Sequence, residues 1–376
     1  MSGVLLRVGV GGGAQAQTAP HEAQTRPTVE NIETTLLLAG DAGSPARTHE
    51  PVLMALEHEA SRAPSRTIVI FLGDNVYPNG LPMADSPSRE EAERRLNAQI
   101  AVIGRSEARG IFIPGNHDWG GGVTGGWNAL RRQEEYVLAR AGPRASFLPR
   151  GGCPGPSVQD IGSRLRLVIL DTNWWLHDGQ KPMHPASTCA TDSESEIIDA
   201  LQAAIGSANG RRVIVLGHHP LVSGGRHGGH FGWMDHIVPL RAWNGWLWLP
   251  LPGVGSLYPA VRGSWGLGQD LHSSAYSKMR HAIEAAFRPC PPIAYASGHE
   301  HNLQVLDGRV SPHLLISGAG IYGHTSPVVR IDETRFALSR GGFMRLDVHD
   351  NGRISLNVLA ADAAGTASSV FSLWME

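Results

Sequence analysis

The sequence predicts an α/β sandwich with largely parallel strands. Short apolar, β-branched runs alternate with longer segments of helical periodicity along most of the 376 residues, the pattern of repeated strand and helix units. Five of those runs stop at a glycine followed directly by a carboxylate, an amide or an imidazole. An apolar fraction of 41% against 18% charged is that of a globular chain, and the length suffices for a full core in one large domain or two ordinary ones.

Residues 1–32 are rich in Gly, Ala, Gln and Thr and read as disordered or as a leader. Val4-Leu5-Leu6 is broken by Arg7, while Ala14-Gln15-Ala16 resembles the end of a cleavage site, which leaves exported, periplasmic and cytoplasmic locations open. Residues 33–376 form the folded domain. Within it, 34–38 read as a buried strand ending at Gly40-Asp41-Ala42-Gly43, 49–62 as a helix, and 67–72 as a second strand. That strand delivers Asp74 and Tyr77 into a turn closed by Pro78-Asn79-Gly80. Residues 89–104 are an amphipathic surface helix, and the strand at 110–114 ends in Gly115-Asn116-His117-Asp118. A helix at 128–140 and a Gly- and Pro-rich loop around Cys153 lead to a strand at 165–170, which ends at Asp171. The helix at 193–208 has acidic residues in its first turn, where the helix dipole favours them, and the strand at 212–216 ends in Gly217-His218-His219-Pro220. Later come a helix at 276–287 and a strand at 293–296 ending in Gly298-His299-Glu300-His301. Strands at 303–306 and 314–317 follow, then a hairpin of 342–348 with 354–359 turning at Asp350-Asn351-Gly352, and a last strand at 369–374.

Residues 221–273 break this alternation. The segment opens with glycines and histidines through His227 and His230, holds five of the ten tryptophans, and has no charged residue between Arg241 and Arg262. Pro250, Pro252 and Pro259 exclude a spanning helix, so it reads as an inserted Trp- and Gly-rich lid, in preference to a membrane-surface contact through 233–265. A net charge of −2 gives no general field for nucleic acid, which is not expected as a structural partner. Cys153, Cys189 and Cys290 match no zinc-binding spacing; the first two read as a disulfide or as reduced thiols.

Asp41, Asp74, Tyr77, Asn116, His218, His299 and His301 all lie at strand ends. Each alone also reads as a turn, cap or core residue; their ordered recurrence is what singles them out. In open α/β sheets, sites form beyond the carboxyl ends of the strands, so residues far apart in sequence can converge. Oxygen and nitrogen donors without thiolate suit harder or borderline metals. Seven donors are too many for one ion with an open position, and they fit two ions bridged by a shared carboxylate. A metal ion lowers the pKa of bound water to give hydroxide, two cations clamp phosphate oxygens, and an imidazole such as His117 can protonate the departing alkoxide. Asp118 is expected to orient His117.

These five glycine-led blocks resemble those of the calcineurin-like metallophosphoesterases, and more closely the purple acid phosphatase branch. Gly43 stands where most of the superfamily has a histidine, and Tyr77, three residues after Asp74, stands where the purple branch has its tyrosine. The runs Gly298 to Gln304 and Ser317-Gly318-Ala319-Gly320 further resemble the small tartrate-resistant enzymes. The resemblance spans roughly residues 34–360 and implies a β-sandwich flanked by helices. It also implies Asp41, Tyr77 and His301 around a ferric ion, and Asn116, His218 and His299 around Fe(II), Zn(II) or Mn(II), with Asp74 bridging. By the same resemblance His117 and His227 face the substrate. The expected activity is hydrolysis of a phosphorylated small molecule by an acid-phosphatase-like phosphomonoesterase. A phosphodiesterase or nucleotide pyrophosphatase is the alternative among hydrolases, and a metal-bound scaffold or lipid-surface binding protein the alternative outside them.

Overall fold

Strands that are apolar on both faces need cover on both faces, and this chain supplies it with a second sheet on one side and helices on the other. The computed structural model describes residues 32–122, 125–185, 187–230 and 269–376. The segment up to residue 31, expected to be disordered or a leader, and the 231–268 part of the expected lid, with its tryptophans, lie outside the described residues.

The first sheet comprises β1 (Ile32–Ala39), β2 (Thr67–Phe71), β3 (Arg109–Phe112), β4 (Ala145–Phe147), β12 (Gly342–His349), β13 (Ile354–Ala361) and β14 (Ala367–Met375). Its order is β14-β13-β12-β1-β2-β3-β4. The second comprises β5 (Ser157–Ile161), β6 (Leu165–Ile169), β7 (Arg212–Leu216), β8 (Ala294–Ser297), β9 (Leu303–Asp307), β10 (His313–Ser317) and β11 (Thr334–Leu338). Its order is β11-β9-β10-β8-β7-β6-β5. Parallel pairing runs from β1 out to the edge strand β4 in one sheet and through the central β10, β8, β7 and β6 in the other. β9, β11, β12, β13 and β14 pair antiparallel with their neighbours, as does β5, and β10 is parallel to β8 but antiparallel to β9. The expectation of largely parallel strands therefore holds for the strands that carry the candidate ligands and not for β5, β9 and β11 to β14.

Alternate residues of each central strand go to opposite faces. Leu36, Leu38, Ile68 and Ile70 of the first sheet join Leu167, Ile169, Ile214 and Ala296 of the second in one buried cluster, the filling between the sheets. Leu37, Val69 and Phe112 pack instead with residues of α1 (Pro51–Ser61), α2 (Arg89–Ser106) and α3 (Gly126–Ala141), among them Leu56, Val102 and Leu130. The outer side of the second sheet is covered by α5 (Glu194–Gly206), which follows the one-turn α4 (Asn173–Leu176), and by α6 (Ser274–Phe287). Ser193 and Glu196 close a reciprocal capping box at the start of α5, which is where the sequence places that helix.

The carboxyl ends of the parallel strands of both sheets meet along one edge. There Gly40 N–H, just past β1, donates to the Ser317 carbonyl at the end of β10 across the two sheets at 2.7 Å. This edge holds the candidate ligands.

Candidate metal centre

Three of the candidate ligands occupy left-handed backbone: Asp41 at φ 59°, Asp74 at 54° and His299 at 70°. Such conformations cost a non-glycine residue about 1–3 kcal/mol and persist only where the surroundings enforce them. The enforcing contacts run between the ligands. Asp41 Oδ2 accepts the His299 backbone N–H at 2.7 Å, and Asp74 Oδ1 accepts that of His117 at 2.9 Å. Gly73, at φ 92°, has no space for a side chain, because a Cβ there would run into the His218 ring.

The seven side chains converge as two triangles joined by one carboxylate. In the first, the Tyr77 hydroxyl lies 3.0 Å from Asp41 Oδ1 and 3.0 Å from His301 Nε2, which are themselves 3.5 Å apart. In the second, Asn116 Oδ1 lies 3.1 Å from His218 Nε2 and 3.1 Å from His299 Nδ1, with the two ring nitrogens 3.3 Å apart. Asp74 Oδ1 stands 3.5 Å from His218 Nε2, and Asp41, Asp74 and His218 have ligand atoms within 4.8 Å of one another. These separations are those of donors sharing an ion at about 2.0–2.2 Å.

The arrangement also fits a cation chemically. His218 Nδ1 meets the Leu72 carbonyl at 2.8 Å and His299 Nε2 the Gln269 carbonyl at 3.0 Å, so each ring has its N–H assigned outward. The remaining lone pairs face one another and the Asn116 oxygen, three acceptors that need a cation or a proton between them. Burial disfavours charge on His218, yet the Asp74 carboxylate outweighs it and raises the ring pKa to about 9. Burial and the neighbouring imidazoles of His227 and His219 hold His299 well below the ordinary histidine range. Asp74 lies far below the usual carboxylate range: burial would raise it, and His218 and His117 prevail. Burial, then the Asp41 and Asp74 carboxylates, push Tyr77 well above its ordinary value, so without a cation it stays a phenol.

A family model, the calcineurin-like phosphoesterases, matches residues 35–246. The chain belongs to that family. It is therefore a metallophosphoesterase, a phosphoric ester hydrolase of a family whose centre is dinuclear. No curated protein sequence matches it. Among solved structures, GAP50, the anchor in the inner membrane complex of Plasmodium, aligns with a TM-score of 0.58 at 13% identity, over 92% of this chain and 89% of that one. Purple acid phosphatase PPD1 from yellow lupin (Lupinus luteus) seeds gives a TM-score of 0.54 at 15% identity, over 91% of this chain and 53% of the lupin protein, about half its length. PhoD gives 0.54 at 11% identity, over 91% and 69%. At these identities the likeness establishes the fold alone.

Around the phosphoesterase centre stand the other residues read from the sequence. His117 is part-exposed at the mouth, with Nδ1 on the Pro78 carbonyl at 2.5 Å and Nε2 3.9 Å from Asp74 Oδ2. Asp118 does not orient it. That carboxylate is fully buried and turned away, accepting from the backbone N–H groups of Gly115, Asn75 and Val76 and from the amides of Asn75 and Gln133. Burial and the Asp74 charge raise its pKa to about 6. Its work is to lock the loop after β2 to the loop after β3. His227 lies against the His299 ring with centroids 4.1 Å apart, and its Nδ1 is 2.8 Å from Asp270 Oδ1.

Several contributors were given no role by the sequence. Glu300, between two candidate ligands, accepts from Ser223 Oγ, His227 N–H and Gly228 N–H, and Gln304 Oε1 accepts from Gly224 N–H. The run from His299 to Gln304, already singled out by the resemblance, thus alternates, His299 and His301 toward the centre, Glu300 and Gln304 toward the 223–228 loop. His219 is no free ligand, since its nitrogens meet Thr172 Oγ1 at 2.8 Å and Gln269 Oε1 at 2.7 Å.

Proposed function

We propose that this chain is a phosphomonoesterase of the purple acid phosphatase type, with Asp41, Tyr77 and His301 around a ferric ion, Asn116, His218 and His299 around Fe(II), Zn(II) or Mn(II), and Asp74 shared between them. The observation that carries the reading is the pair of donor triangles, one with a phenol oxygen 3.0 Å from a carboxylate and an imidazole and one with an amide and two imidazoles. Both triangles sit at the strand ends around Asp74. When bound, the two ions supply Lewis acidity toward phosphoryl oxygens and a nucleophile from water of lowered pKa.

The chain's own residues do the rest. The Leu72 and Gln269 carbonyls hold His218 and His299 in the tautomers that present Nε2 and Nδ1 to the centre. The Pro78 carbonyl does the same for His117, leaving Nε2 to carry the proton for the departing alkoxide. Asp270 and the Glu300 contact with the backbone of His227 fix that imidazole as a second substrate-facing group. The Cys153–Cys189 disulfide favours an oxidising compartment.

A scaffold function is the second reading, favoured by the likeness in fold to an inner-membrane-complex anchor. The complete donor set argues against it. Metal analysis with hydrolysis of an aryl phosphate tests the proposal. His117→Ala should retain both ions and lose about 10²–10⁴-fold in kcat, the usual share of a general acid. A fully loaded wild type without turnover would return the scaffold reading. Faster hydrolysis of a bis-aryl phosphate than of the monoester would move the assignment to a phosphodiesterase.

A further inference from the structure

This inference rests on the phosphoesterase reading above and concerns a residue that the reading does not use. Three of the four candidate-ligand rings have a part-exposed or exposed imidazole packed against them, whereas the buried His219, against His218 and His299, is held at both nitrogens by Thr172 and Gln269. His117 lies on Tyr77 with ring centroids 4.5 Å apart, His227 on His299 at 4.1 Å, and His324 on His301 at 4.6 Å. The His324 ring also meets Tyr77 edge-on at 6.2 Å. His117 and His227 are already placed toward the substrate. His324 stands in the corresponding place against His301.

The loop that presents His324 is held on both sides of it. Tyr322 N–H donates to Glu50 Oε1 at 2.7 Å, and Ser326 N–H donates to the carbonyl of His301 itself at 2.8 Å. Ser326 is held again by Asn302 Nδ2 on its hydroxyl at 3.3 Å and by Ser339 Oγ on its carbonyl at 2.8 Å. Val329 N–H closes the loop onto the Gly224 carbonyl at 2.9 Å, tying it to the segment that carries His227. Glu50 is a buried carboxylate that also accepts from the backbone of Ala46 and Val52. Contacts from several separate segments therefore fix the backbone around a residue that is itself exposed. Among the described residues neither nitrogen of the His324 ring has a hydrogen-bond partner, so a ligand entering from solvent can take one.

We propose that His324 is a third substrate-contacting histidine, donating a hydrogen bond to a phosphoryl oxygen of the bound phosphate ester from the His301 side of the centre. A hydrogen bond to a charged oxygen is a binding contact, so its loss should fall on affinity more than on turnover.

The test uses the full chain loaded with both ions and compares wild type, His324→Ala and His324→Gln. Inorganic phosphate is titrated calorimetrically, and KM and kcat are measured for an aryl phosphate. His324→Ala should weaken phosphate binding about tenfold or more and raise KM by a similar factor. Its kcat should change less than about threefold, with metal content as in wild type. His324→Gln keeps an N–H donor of similar reach and should recover part of the affinity. Equal phosphate affinity in wild type and His324→Ala overturns the proposal. Loss of an ion from His324→Ala also overturns it, because the ring would then serve the metal. A doubly loaded wild type that neither binds phosphate nor hydrolyses the ester overturns the phosphoesterase reading itself. The wild-type titration thus distinguishes the two failures.

Discussion

Replacing Tyr77 by Phe removes one oxygen and keeps the ring that packs against His117 at 4.5 Å between centroids. That oxygen donates to Asp41 Oδ1 at 3.0 Å and lies 3.0 Å from His301 Nε2. Hydrogen bonds to charged partners contribute about 1.5–3 kcal/mol each, and the loss of one such bond lowers the Tm of a domain this size by about 2–4 °C. The metal-free Tyr77→Phe protein should show a drop of that order by differential scanning calorimetry. The loaded protein should change more visibly. Burial and the Asp41 and Asp74 carboxylates raise the Tyr77 pKa, so the phenol gives up its proton only to a cation, and binding of the first ion releases that proton. The wild type should therefore show a tyrosinate-to-iron absorption band that fades as pH falls, and Tyr77→Phe should lack it at every pH. A band that survives in Tyr77→Phe would refute the assignment of Tyr77. A colourless wild type, active with two Zn or Mn ions, would remove the ferric ion and leave the hydrolase.

Further predictions concern the surroundings of the centre. In Gln269→Ala the bracket on His219 and on Asn173 Oδ1 is lost, and the Gln269 carbonyl on His299 loses its support. Affinity for the ion at Asn116, His218 and His299 should fall about tenfold in a metal titration while the Tyr77 band remains; equal weakening of both ions counts against this. Asp171 is fully buried and its pKa is raised by that burial from 3.8 to about 8, although Trp119 Nε1 donates to it at 2.8 Å. A raised carboxyl favours the folded state fully below its unfolded pKa and loses that contribution as pH climbs through 8. Wild type should thus lose about 2–3 kcal/mol of stability between pH 6 and 8 relative to Asp171→Asn. Parallel pH profiles of the two proteins in denaturant melts would contradict the shift.

The strand ends were legible because two independent patterns coincide there. A β-branched apolar run announces the strand, and a glycine followed by a polar donor announces the turn, as at Gly73-Asp74 and Gly217-His218. Three strands were not legible, for physical reasons. β4 is three residues long, β5 has only Val158 and Ile161 as apolar residues, with Gln159 and Asp160 adjacent between them, and β11 is a partly exposed edge strand. The expectation that Asp118 orients His117 rested on adjacency in sequence. The fold sends the two side chains apart, one to a buried hub with Asn75 and Gln133 and the other to a carbonyl at the mouth. Leu72, Gln269 and Pro78 act through backbone oxygens, which any residue carries, so no sequence pattern could mark them.

The two halves of the centre are supported differently, and this follows from where their contacts originate. The Asp41, Tyr77 and His301 triangle draws its supports from the 40–77 segment, from the His299 backbone N–H on Asp41, and from the loop at 322–329, which holds the His301 backbone through Ser326. The Asn116, His218 and His299 triangle leans on Gln269, the first described residue after the 231–268 segment, and His227 beside it leans on Asp270. Substitutions at 269 and 270 should therefore reach one ion and the His227 imidazole while leaving the phenol-bearing triangle intact. Substitutions at 324 leave both donor sets in place and change only what lies above them. An experiment that separates the two ions spectroscopically can thus tell from the position of a substitution alone which half it should disturb.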